Sequence, residues 1–172
     1  MKNIGYTVLS CLMIYGCTAQ KNAPGIYAYK QPVLQGVRPV VIADEKGKGQ
    51  EQVMKPSISY LIYVESSNAN MQVKKVWIKN VPYSVTTYPV QQTPVVMKNT
   101  AIMSANADTL VQATSNKVLQ IQLGPAEQPV QLGASLQKKI SGNELVMHCV
   151  INGKDFYYTV PAIKNLPPLA LQ

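Results

Sequence analysis

Apolar and polar residues alternate along much of this chain, and Val, Ile, Thr and Tyr fill the ordered runs. Alternation of period two places successive side chains on opposite faces of a strand, so the pattern predicts an all-β protein. Val37 to Ala43 is a first run, with Pro39 suggesting an edge position, and Asp44 to Lys55 reads as a charged, glycine-rich loop. Ser57 to Glu65 alternates cleanly: Ile58, Tyr60, Ile62 and Val64 share one face, and Ser57, Ser59, Leu61 and Tyr63 the other. Ser66 to Asn70 turns the chain into Met71 to Lys79. Tyr83 to Tyr88 and Thr93 to Lys98 follow, separated by Pro89 and Pro94, and Ser104 to Asp108 is a polar turn. Lys117 to Leu123 sends Leu119, Ile121 and Leu123 to one face. After a turn at Gly124 to Pro129, Val130, Leu132, Ala134 and Leu136 share a face and predict one more strand.

The most sharply specified element is the hairpin around Asn152-Gly153. This dipeptide suits a two-residue type I′ turn because both positions need positive φ. The register that follows sets Ile151 opposite Lys154, Cys149 opposite Phe156, Met147 opposite Tyr158 and Leu145 opposite Val160. His148 then faces Tyr157 on the other side of the sheet, with Val146 opposite Thr159 and Val150 opposite Asp155. About eight or nine short strands with no helix predict an antiparallel β-sandwich, with a β-barrel as the alternative. Trp77, one strand after the Ser57 to Glu65 run, resembles the core tryptophan of immunoglobulin-like domains, although the cysteine pair that frames it there is missing.

The first twenty residues carry a different pattern. Lys2 precedes an apolar run from Ile4 to Tyr15, and the small residues Gly16-Cys17-Thr18-Ala19 follow. That order reads as a bacterial export signal, since the run is too short for a helix that crosses a bilayer. Ile14-Tyr15-Gly16-Cys17 resembles the lipobox of bacterial lipoproteins, with Tyr15 standing where that family usually has a small residue. The resemblance implies a small Gram-negative cell-envelope lipoprotein whose Cys17 carries the acyl chains, in the periplasm or at the outer membrane. Cleavage after Ala19, giving a freely soluble exported protein, is the rival reading.

Composition narrows the chemistry. The net charge of +8 rests on scattered lysines, and Arg38 is the only arginine, so nucleic-acid binding is not expected. Cys11, Cys17 and Cys149 are the only cysteines; processing leaves Cys149 alone, so a hydrophobic core must hold the fold without an internal disulfide. His148 is the sole histidine and, on a strand, points away from Cys149, so the two cannot share a metal or a substrate atom. No nucleophile elbow, phosphate loop or dinucleotide fingerprint occurs. No cofactor, metal or catalytic residue is therefore expected.

Ten tyrosines stand against one Phe and one Trp. Tyrosine combines a flat apolar ring with a polar tip, so Tyr27, Tyr29, Trp77, Tyr83, Tyr88 and Tyr157 are candidate ligand-facing aromatics. The expected organisation is a signal over residues 1–20, a tether and irregular segment over 21–36, one β-domain over 37–164 and an irregular tail over 165–172. The expected function is a non-catalytic binding or structural module of the cell envelope, with an envelope protein or polysaccharide as partner. A carbohydrate-binding module is the alternative, and a glycan-acting enzyme with an unassigned acidic pair is the third reading.

Overall fold

A computed structural model describes residues 23–35, 42–43, 49–50, 57–98 and 107–171. The export segment with Cys17, and most of the Val37 to Lys55 region, lie outside the described residues. The all-β expectation holds, with nine of the strands gathered into one sheet and two short two-stranded ribbons beside it. β1 (Gly25–Gln35) is followed by a short ribbon of β2 (Ile42–Ala43) and β3 (Gly49–Gln50), and then by β4 (Ser57–Ser66). β5 (Met71–Ile78) and β6 (Val81–Pro89) form a hairpin, as do β7 (Val95–Lys98) and β8 (Ala107–Val111). β9 (Lys117–Ala126) leads to a helix, α1 (Ala134–Ser141), and the chain ends with β10 (Leu145–Ile151), β11 (Lys154–Val160), β12 (Lys164–Asn165) and β13 (Leu169–Leu171).

The main sheet runs β11-β10-β5-β6-β9-β4-β1-β12, and β13 also pairs with β1. It curls into a half-barrel. Two facing sheets are not needed, because the inward side chains of distant strands meet one another across the curl: Ala28, Ile62, Val64, Val76, Ile121, Leu145, Met147 and Cys149 form one core. The immunoglobulin-like two-sheet arrangement therefore gives way to the barrel-like alternative. On the convex side, the β7–β8 ribbon brings Leu110 and Val111 against Tyr29, Tyr63 and Val118. That cover is why β4 is buried on both faces at its centre.

Three further expectations are corrected. Residues 25–35 form β1 rather than an irregular segment, because Ile26 and Ala28 face the core while Tyr27 and Tyr29 face the ribbon. The C-terminal tail is not irregular: β12 and β13 add to β1 in parallel, and Gln31 Nε2 donates to the Pro167 carbonyl at 2.9 Å. The strand expected at Val130 to Leu136 is instead the approach to α1 and its first turn. Leu132, Leu136 and Ile140 recur every four residues and pack on Trp77, Val146 and Tyr157, while Val130 is exposed.

The last hairpin has the register its turn dictates, from Leu145↔Val160 to Ile151↔Lys154, with φ of 50° at Asn152 and 76° at Gly153. A second two-residue turn, at Lys79 and Asn80 with φ of 47° and 69°, joins β5 to β6.

Candidate functional site

The β5–β6 hairpin is paired only next to its turn, through Val76↔Tyr83, Trp77↔Pro82 and Ile78↔Val81. Beyond that point the strands part. Two irregularities sit at the fork. Cys149 and His148 on β10 pair with Val73 and Lys75, which leaves Lys74 as a bulged residue on β5. On the other side, Tyr83↔Ala126 is followed by Val85↔Leu123, so Gly124 and Pro125 of β9 oppose the single residue Ser84. A bulge adds local twist, and one on β5 and one on β9, beside β6, flank the point where β5 and β6 part.

The opening is a cleft of about 810 Å³. Met71 and Val73 of β5 and Leu119 of β9 lie at its base and are nearly buried, at 5 %, 8 % and 7 % exposure. Exposed Asn70, Gln72, Lys74, Thr87, Lys117 and Asn152 surround it. A second split follows the same logic: β4 and β9 pair from Ser66↔Lys117 to Ile62↔Ile121 and then diverge. There Tyr60, Tyr83 and Tyr88, with Ser59, Gln120 and Gln122, line a cleft of about 450 Å³.

The candidate aromatics are dispersed. Tyr27 donates to Glu65 Oε2 at 2.7 Å, and Tyr29, buried, donates to the Leu110 carbonyl at 2.6 Å. Trp77 is buried beneath α1, its ring 6.4 Å from that of Tyr157. Tyr157 stacks on His148 at 4.8 Å, and His148 Nε2 lies 2.6 Å from Asp155 Oδ1. Tyr83 and Tyr88 line a common cleft. Sequence reading passed over Lys74, Thr87 and Lys117. The available signal was a phase slip in MQVKKVWI: Met71 and Val73 alternate inward, and Val76 and Ile78 resume the pattern one residue late.

Two carboxylates anchor the structure. Glu65 accepts from Tyr27, from Thr114 Oγ1 at 2.6 Å and from Asn116 Nδ2 at 2.8 Å. Those hydrogen bonds, led by Thr114, hold its carboxyl below the usual value, and the bond to Glu65 helps push the Tyr27 hydroxyl up to about 12. Glu144 accepts from Lys30 Nζ at 2.7 Å and from the Ile163 amide at 2.8 Å; these contacts, Lys30 first, lower it as well. A glycosidase acid must hold its proton near neutral pH, and both shifts run the opposite way. Among the described residues no three His, Cys, Asp or Glu side chains cluster as metal ligands, and no helix is long and apolar enough to cross a membrane.

No protein-family model, curated protein or solved structure matches this chain.

Proposed function

We propose that this chain is a non-catalytic binding module of the bacterial cell envelope, held at a membrane by acyl chains on Cys17. The observation that carries the binding reading is the parting of β5 and β6 at Val76 and Tyr83 into an open, polar-rimmed cleft. The anchor rests on the order of Lys2, the apolar run and Ile14-Tyr15-Gly16-Cys17. Several acyl chains, at about 0.8 kcal/mol per buried methylene, give firm attachment.

Mass spectrometry of the exported protein's N-terminus tests the anchor: an acylated Cys17 supports it, and a free terminus at Gln20 overturns it. Binding is tested in cells by placing a photoreactive amino acid at Thr87 and, as a control, at exposed Lys139. A discrete crosslinked product specific to Thr87 supports the reading, whereas identical patterns from both sites remove it.

The tyrosine-lined split between β4 and β9 favours a second reading, carbohydrate binding. Tyr60, Tyr83 and Tyr88 supply rings there, and Gln120 and Gln122 supply amides that bond hydroxyl groups. Tyr88, 49 % exposed, is the test position: Tyr88→Ala should abolish retention on envelope polysaccharide in affinity electrophoresis, and unchanged retention excludes this cleft.

A further inference from the structure

We infer that the β5–β6 cleft receives an extended, acidic segment of a partner polypeptide as an added β-strand. The inference rests on the binding-module reading and specifies what that module recognises.

Backbone supply is the first argument. From Met71 to Lys75, β5 has β10 on one side and no partner strand on the other among the described residues. From Val85 to Pro89, β6 has β9 on one side and likewise no partner on the side facing β5. Each edge is about 17 Å long at ~3.4 Å per residue, the length of an ordinary strand. An open edge carries N–H and C=O groups aimed outward, and an incoming strand satisfies them in place of water. Strand addition of this kind draws affinity from the main chain and selectivity from alternate side chains.

Charge supplies the second argument. Among the described residues, Lys74 and Lys117 line the cleft and no Asp or Glu does. Neither lysine has an ion pair among the described residues, whereas the adjacent Lys75 is already 2.5 Å from Glu127 Oε2. Two exposed cations with no ion-pair partner among the described residues favour an acidic occupant. A fatty chain fits less well. The apolar base formed by Met71, Val73 and Leu119 is already more than nine-tenths buried and offers little surface for an acyl group to cover.

Three soluble peptides of about eight residues, an ordinary strand length, separate the possibilities. One alternates Val and Glu, one alternates Val and Lys, and the third is the Val-Glu peptide N-methylated at alternate residues to remove its donors. Amide hydrogen exchange of the mature protein is read residue by residue. The Val-Glu peptide should slow exchange about tenfold or more at alternate amides within Gln72 to Lys75 and Thr86 to Tyr88. The Val-Lys and N-methylated peptides should leave those amides unchanged. Lys74→Glu with Lys117→Glu should weaken the Val-Glu peptide at least tenfold while the melting temperature stays put, since both side chains are exposed. Equal protection by the N-methylated peptide, or none by the Val-Glu peptide, overturns strand addition. If Thr87 crosslinking then persists, the binding-module reading survives without it; if that fails too, both fall.

Discussion

Cys149 lies on the concave face of β10 among Val73, Met147 and the other core side chains, with no exposed surface. Burial pushes its thiol up to about 12, so thiolate is scarce at any working pH, and access is blocked as well. Iodoacetamide at pH 8 should therefore leave Cys149 unmodified in the folded exported protein and label it rapidly in guanidinium. Peptide mapping after each treatment checks this, and fast labelling of the native state would mean that β10 opens locally. Gly124 shows the opposite kind of constraint, a need for emptiness. A Cβ there would collide with Ser84 Oγ and approach the Ser84 carbonyl oxygen to 3.3 Å. Alanine normally suits a strand better than glycine by about 0.5–1 kcal/mol, but here the overlap reverses the sign. Gly124→Ala should lose about 1 kcal/mol in urea denaturation, and adding Ser84→Ala should restore most of it. A double-mutant cycle without coupling would show that this bulge is not held by the close approach.

At the scale of elements, α1 is a short helix without a side-chain cap at Gly133, held by what it covers. Ile140 is buried at 2 % exposure against Trp77 and Val146. Ile140→Ala should cost about 2–4 kcal/mol and shift Trp77 fluorescence to the red as the helix loosens over the indole. A blue or unchanged spectrum would mean that Trp77 is shielded by Tyr157 alone. The same helix shows where sequence legibility ends. Leu132, Leu136 and Ile140 satisfy a period of two as well as a spacing of four, and only the polar Lys138, beyond the run read as a strand, breaks the alternation and separates the two. The β10–β11 hairpin was legible to the residue because Asn152-Gly153 fixes the register locally. The clefts were not. A split depends on which strands lie beside β5 and β9, and those neighbours come from distant parts of the chain. Of the candidate aromatics, Tyr83 and Tyr88 reached a cleft, while Tyr29 and Trp77 were drawn into packing by β8 and α1, whose positions local sequence does not encode.

For the whole molecule, the decisive contact is the one that ties the curl together. In hydrogen-bonding order β1 and β10 are far apart in the sheet, yet Lys30 on β1 reaches Glu144, the residue before β10, at 2.7 Å. Glu144 also accepts from the Ile163 amide, its own amide donates to the Pro161 carbonyl, and its carbonyl accepts from the Lys79 amide. One residue thus joins β1, the β5–β6 turn, β10 and the C-terminal segment. The side chains of Glu144 and Lys30 are 15 % and 21 % exposed, so this pair is far better shielded from solvent than the 3.8 Å contact to Lys79, whose side chain is 59 % exposed. Because the native Glu144 carboxyl titrates below its ordinary value of 4.5, the unfolded chain binds more protons in that range. The stabilisation is complete above about pH 4.5 and drains away as pH falls through the lowered native value; Glu65, shifted the same way, adds to it. Glu144→Gln should remove about 1.5–3 kcal/mol at pH 7, keep some capacity to accept from the Ile163 amide, and leave Lys30 without its charge partner. Plotted against pH, the variant's denaturation free energy should fall less steeply than wild type below 4.5, and the two curves should draw together as pH falls through the lowered native value. Parallel curves would show that the acid sensitivity of this fold resides elsewhere, with Glu65 and its three donors the next group to test by Glu65→Gln.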